Sequence, residues 1–214
     1  MDAKLLVTAL DGLARCAWCA ADPELSAYHD REWGFPVDDD VRLFEKVCLE
    51  GFQAGLSWRT ILAKRAAFRV AFCGFDFYRV AHYDARDVAD LMQNKGIVRH
   101  HGKIESVINN AARAVEMVAA HGSLAAYFWR YEPDPVHLPT PQTVTTCRSA
   151  MDLSKDLKAL GWTFIGPTTM FALMQAMGMV NDHVHGCITR EKVDSARQAF
   201  KRPNDMAEKK IKPG

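Results

Sequence analysis

Apolar positions recur every three to four residues along most of the chain, and the elements this period predicts are helices. Val41 to about Gly51 forms one, with Asp38, Asp39 and Asp40 offering N-caps. Ser57 caps a second, Trp58 to about Phe72. Ile61, Leu62, Phe68 and Phe72 share one face of it, and Arg59, Lys64, Arg65 and Arg69 the other. Asp84 caps a helix through Leu91, with Asp87 in the capping-box place and Gly96 as a stop. His100 to His121 repeats Ile104, Val107, Ile108, Ala111, Val115 and Val118, and Gly122 ends it. Ser123 caps a short aromatic helix through Tyr131, after which Pro133, Pro135, Pro139 and Pro141 force an extended loop. Ser149, with Asp152, caps a helix stopped by Gly161, and Pro167 occupies the first position of a helix running to Gly178.

Two regions escape this period. Residues 13–37 are aromatic-rich and turn-rich, with Asp22-Pro23, Gly34 and Pro36 breaking any long element. From about Thr189 the chain turns polar and Lys-rich. No stretch alternates as a strand should, and no repeat of fixed period is present. The expected fold is all-α: an extension over 1–12, one domain of two helical lobes over 13–190, and a flexible tail over 191–214.

One polar residue interrupts an apolar seam. Leu43, Val47, Glu50 and Ala54 lie on one helical stripe, so Glu50 faces where core residues should face. A carboxylate there must be paired, protonated or used; the plain alternative is a partly exposed helix end. Gly51 and Gly55 follow, then Leu56, Ser57 and Trp58. Glu50 with Trp18, Tyr28, Trp33 and Trp58 would suit a flat, electron-poor or cationic ligand, although aromatics more often simply fill a core.

Composition narrows the field without choosing a function. The 214 residues are 49% hydrophobic and 25% charged, enough for a sizeable core. No apolar run reaches the roughly 18 residues of a membrane span, and the first twelve residues lack the layout of a secretory signal. Net charge is +1, from 27 basic and 26 acidic residues, so any nucleic-acid surface must be local. Six cysteines without a signal segment point to a reducing, cytoplasmic setting with free thiols or metal ligands.

Metal chemistry is the next reading. Cys16 and Cys19 form a CxxC pair, and His183, His185 and Cys187 form HxHxC in the other half of the chain. Zinc takes four N/S ligands in a tetrahedron, and two separate paired elements commonly supply them. Spacing does not choose among Cys16, Cys19, His29, His183, His185 and Cys187. The segment Leu160-Gly-Trp-Thr-Phe-Ile-Gly-Pro-Thr168 has the layout of a helix-hairpin-helix, whose backbone N–H groups and following helix N-terminus can hold a DNA phosphate without basic side chains. A plain αα-hairpin has the same layout.

Taken together, these runs resemble the DNA-3-methyladenine glycosylase I family of the helix-hairpin-helix glycosylase superfamily. The resemblance is carried by Cys16-Ala-Trp18, Tyr28-His-Asp-Arg-Glu-Trp-Gly34, Leu43-Phe-Glu, Cys48-Leu-Glu-Gly51, Gln53-Ala-Gly-Leu-Ser-Trp58, Gly96-Ile-Val-Arg-His100, Lys103-Ile104, the segment after Gly161, and Val180-Asn-Asp-His-Val184 with Gly186-Cys187. It implies one structural Zn²⁺ per chain held by Cys16, His29, His183 and Cys187, with Cys19 and His185 as bystanders. It departs at Leu25, where some members carry a second pocket tyrosine, and at Pro167, where others often carry Thr.

The resemblance also implies a monomeric base-excision repair enzyme that acts on duplex DNA with alkylated bases. It would hydrolyse the N-glycosidic bond of 3-methyladenine and leave an abasic site. The expected roles are Glu50 as the catalytic carboxylate and Trp18, Tyr28 and Trp58 as base-binding rings. Leu56 is the expected tip of a wedge spanning Gln53 to Leu56, and Gly161, Gly166 and Thr168 are expected DNA contacts. Asp182 is a second candidate carboxylate, next to His183. Two rivals come from other classes: a non-catalytic zinc-stapled DNA-binding module, and a zinc hydrolase with Glu50 as general base.

Overall fold

The computed structural model describes residues 5–9 and 11–203. A small antiparallel sheet comes first: β1 (Leu6–Thr8) pairs with β2 (Ala14–Cys16), with Leu6 opposite Cys16. Ten α-helices follow among the described residues: α1 (Pro23–Arg31), α2 (Asp40–Gln53), α3 (Trp58–Ala71), α4 (Phe77–Val80), α5 (Ala85–Gln93), α6 (His101–His121), α7 (Leu124–Phe128), α8 (Arg148–Ala159), α9 (Pro167–Ala176) and α10 (Arg190–Ala199). The fold is mostly helical, as the periodicity predicts.

Most helix starts follow from local chemistry. Asp39 accepts from Arg42 N at the start of α2, and Ser57 accepts from Thr60 N at the start of α3. Asp84 and Asp87 close the expected capping box on α5. Gly122, with φ of 92°, ends α6, and Pro167 stands in the first turn of α9.

The structure corrects four expectations. Residues 23–31 are a helix: Asp22 is its N-cap, accepting from Glu24 N and Leu25 N, so Asp22-Pro23 begins an element where a break was expected. Part of the 1–12 extension is strand β1, tied to the domain by β2. Cys147 stands at the N-cap of α8, so Ser149 lies inside the first turn. The expected flexible tail contains α10, where Val193 is fully buried and Arg197 reaches Gly178 O and Glu132. Residues 204–214 lie outside the described residues.

The buried apolar side chains form one contiguous cluster. Helix α2 runs through its middle, with all of Leu43 to Phe52 buried, and it packs on α6 and α7 as well as on α9. Helix α8 lies against α9. Gly178 lets the chain after α9 press against the 34–37 loop: a Cβ there would stand 2.4 Å from Pro36 N. The same loop is bonded along the end of α9, Gly34 N to Ala176 O and Val37 N to Met177 O.

Candidate active site and metal cluster

The buried face of α2 carries its polar residues to a cavity of about 320 Å³. Trp18, Tyr28, Trp33, Lys46, Glu50 and Trp58 line one side; Gln142, Thr168, Phe171 and Gln175 stand among those on the other. This volume is in the usual range for a small-ligand pocket. Glu50 is only 6% exposed, so the partly exposed helix-end reading does not hold. Its carboxylate faces the cavity beside the rings, with Tyr28 and Trp58 centroids 5.3 Å apart and Trp18 edge-on to Trp33 at 5.1 Å.

The partner of Glu50 is Lys46, one turn earlier on the same helix. Lys46 Nζ lies 2.8 Å from Glu50 Oε1 and donates to the Tyr28 hydroxyl at 2.8 Å. It also sits 3.3 Å from the centre of the Trp58 ring. Burial pulls the Lys46 ammonium below the usual lysine range, against the opposing pull of Glu50. Burial also pushes the Tyr28 phenol well up, so it stays protonated at neutral pH. The apolar period marks Lys46 as nothing unusual, because i and i+4 charges look like an exposed ion pair until the helix is seen to be buried all round.

Leu56 is exposed, on the turn between α2 and α3, where Leu56 N donates to Gln53 O and Gly55 has φ of 80°. Lys103, which is buried, steadies this turn by donating to Phe52 O and Ala54 O at the end of α2. The segment between α8 and α9 stands next to it: a Cβ on Gly51 would meet Phe164 at 3.5 Å. Trp162 and Ile165 are buried while Thr163, Phe164 and Thr168 are exposed. Asn110 grips Thr163 twice, Thr163 N to Oδ1 at 2.9 Å and Nδ2 to Thr163 O at 3.0 Å. Ser154 donates to Ile165 O at 2.7 Å, and Asn109 to Gly161 O at 2.9 Å. The N-cap of α9 is Gly166, with no side-chain cap, which leaves its first turn suited to an outside acceptor.

Behind the aromatic wall, Cys16, His29 and Cys187 place one ligand atom each within 4.8 Å of one another, all buried. The chain thus joins β2, α1 and the segment before α10. His183 stands beside them, its ring 4.6 Å from that of His29, with a buried Nε2 that lacks a partner among the described residues. Both imidazoles are oriented alike: His29 Nδ1 is 2.8 Å from Asp30 Oδ1, and His183 Nδ1 is 3.0 Å from Asn181 Oδ1. That leaves both Nε2 atoms for a metal, as outer-shell partners do in metal sites. Gly34 makes room for His183, since a Cβ there would stand 2.8 Å from His183 Cε1.

The electrostatics of this cluster fit a cation. Cys187 is pushed down to about 3, first by a hydrogen bond from Cys16 and, against burial, by His29; Cys16 is pushed up by the same shared proton. A metal ion replaces exactly such shared protons. Cys19 is buried but spends its thiol on Cys16 O, and His185 is exposed. Asp182 does not support the cluster: its carboxylate accepts from Gln142 N and Gln175 Nε2, pinning the loop that carries Gln142. Asn181 has the orienting place instead.

A mostly helical protein with a ring-lined cavity that holds a buried carboxylate, walled off from a buried Cys/His cluster, has the parts of a base-recognising enzyme. The comparisons name the family. The Methyladenine glycosylase family profile matches residues 18–191, and the chain belongs to that family. It is 44% identical over 179 residues to DNA-3-methyladenine glycosylase 1 of Escherichia coli (strain K12), covering 82% of this chain and 96% of that one. It is 41% identical over 182 residues to DNA-3-methyladenine glycosylase of Haemophilus influenzae, covering 81% and 96%. The solved structure described as the structural basis of 3-methyladenine recognition by the Staphylococcus aureus 3-methyladenine DNA glycosylase I superposes with a TM-score of 0.76 at 36% identity, covering 82% of this chain and 96% of that one.

Proposed function

We propose that the chain is a monofunctional DNA glycosylase that releases 3-methyladenine from alkylated duplex DNA and leaves an abasic site. Buried Glu50 inside a cavity of aromatic faces carries this reading, together with the family. The reading makes the chain one glycosylase domain whose two groups of helices meet at the cavity, with β1 and α10 part of it, working as a cytoplasmic monomer.

N3-methylation gives adenine a positive charge, so the base departs as a neutral molecule and needs little help from an acid. The site's task is to select and hold the cation. The Glu50 carboxylate supplies charge and acceptors, and Trp18, Tyr28 and Trp58 supply π-faces. Extruding the base from the stack costs about a few kcal/mol, and Leu56, an apolar side chain exposed on the turn, fills the gap it leaves. Gly161, Gly166 and Thr168 belong to a helix-hairpin-helix whose backbone receives a phosphate at the start of α9. Water then attacks the sugar carbon.

Cys16, His29, His183 and Cys187 would hold one Zn²⁺. Bound there, it ties the N-terminal segment to the one before α10. Four protein ligands leave no open position for water, which separates this reading from a zinc hydrolase.

The test is incubation with methylated duplex DNA and identification of the released base. Glu50→Gln is expected to keep the fold and to slow release at least about a hundredfold, in the range of losing one preorganised electrostatic contact. Release by Glu50→Gln at the wild-type rate would remove Glu50 from the mechanism, and no release by the wild type would leave only a DNA-binding module.

A further inference from the structure

The recognition groups of the cavity are already engaged. Lys46 brings its ammonium to Glu50 Oε1, to the Tyr28 hydroxyl and to the face of Trp58, at 2.8, 2.8 and 3.3 Å. These are the carboxylate and two of the rings that a cationic base needs. At 5% exposed, the side chain is held there rather than waving in solvent.

We propose that Lys46 is a specificity-determining residue: a tethered cation that fills the base site of the free protein and must leave Glu50 and the Trp58 face before a cationic base can take them. The inference rests on the reading of Glu50, Tyr28 and Trp58 as the base site. A carboxylate already paired at 2.8 Å attracts a second cation weakly, and two like charges sharing one π-face repel. The cavity therefore carries little net charge, and discrimination between a cationic base and a neutral one is set by how easily Lys46 yields.

Lys46 can yield by swinging its flexible stem or by losing its proton to solvent. Glu50 on α2 and Glu32, just past the end of α1, hold the proton on; burial and Arg65 on α3 drive it off, and the Tyr28 phenol stays neutral. Arg42 and Glu45 on α2 and Arg69 on α3 share a second hollow with the Lys46 side chain, and there Glu45 is paired with Arg69 at 2.9 Å. Arg65 is itself engaged by Glu32 through two bonds of 2.6 and 2.9 Å, which spends much of Glu32's pull. The side chains that α9 and the 142–145 segment turn toward the cavity carry no charge. Among the side chains that line the ring-walled cavity, proton loss from Lys46 thus leaves the Glu50 carboxylate without its ion-pair partner.

The experiment measures kcat and KM for 3-methyladenine release from methylated duplex DNA, from mildly acid to mildly alkaline pH and corrected for spontaneous depurination. It compares the full-length wild type with Lys46→Met, Lys46→Gln and Lys46→Arg. Wild-type kcat/KM should climb with pH. Lys46→Met should be faster at neutral pH by about tenfold, mainly through KM, with the climb abolished. Lys46→Arg should be slow and flat. Lys46→Gln keeps a donor to Glu50 without the charge, and stands in for Lys46→Met if that variant unfolds. Neutral variants no faster than a wild type whose pH climb they retain would overturn the inference alone. A wild type that releases no 3-methyladenine would overturn the base-site reading and this inference with it.

Discussion

Asn110 is expected to be the clamp that gives the α8–α9 turn its shape, and its removal can be sized from the structure. The side chain is 3% exposed and makes both hydrogen bonds that Thr163's backbone offers, at 2.9 and 3.0 Å. Each such bond is worth about 1 kcal/mol net. That net figure already counts the water that reaches exposed Thr163, so the two bonds set the cost of Asn110→Ala at about 2 kcal/mol. For a protein of this size that lowers Tm by roughly 4–8 °C. Asn110→Asp keeps the acceptor for Thr163 N but sets a carboxylate against Thr163 O, so it should fall as far or further. If the turn holds a DNA phosphate as proposed, loosening it should raise KM on duplex DNA several-fold while kcat stays near the wild-type value. Thermal melts followed by circular dichroism, with steady-state base release, give both readouts. An Asn110→Ala protein melting within about 1 °C of the wild type, with KM unchanged, would refute the clamp.

Gly178→Ala meets both a backbone φ of 81° and a Cβ contact of 2.4 Å to Pro36 N, and should destabilise by at least about 1–3 kcal/mol, seen as a lower melting temperature. Asn181→Ala frees the Nδ1 edge of His183 and should weaken zinc binding by about 10–100-fold, measured by competition with a chromophoric chelator. His183→Ala or Cys187→Ser should bring zinc content from one per chain to near zero by elemental analysis and lower Tm; full zinc in both would remove the site. Lys103→Met strips two bonds from the end of α2 and should raise KM for duplex DNA more than it lowers kcat, because the Leu56 turn loses its support.

Local signals decide the structure where one residue settles the matter. Ser57, the Asp84–Asp87 pair, Gly122 and Pro167 all act within one turn of where they stand, and the structure uses each of them as expected. Sequence and structure part where a residue has two meanings. Asp-Pro ends one helix or begins another, and at Asp22-Pro23 it begins α1 because the aspartate side chain reaches Glu24 N. The strands are three residues each, too short to show alternation, and exist through each other; α10 is poor in apolar residues and exists through Val193 in the core and through Arg197 at Gly178 and Glu132. At the site, Glu50 announces itself by breaking an apolar stripe. Lys46 and Asn110 do not, since a polar residue on a helix is ordinary until tertiary packing buries it. Of the six candidate metal ligands, spacing favoured none; three-dimensional proximity gathers Cys16, His29 and Cys187, with His183 beside them.

Trp33 has one indole and two neighbours of different kinds. One side touches the imidazole of His183 at 4.6 Å, and the other meets Trp18 at the mouth of the cavity at 5.1 Å. The Cys/His cluster and the aromatic cavity therefore share a wall one ring thick. A metal bound by the cluster and a ligand in the cavity would thus both lie against the Trp33 indole, and in a variant that keeps Trp33 as its one tryptophan the state of the staple and the occupancy of the pocket should be read from the same emission.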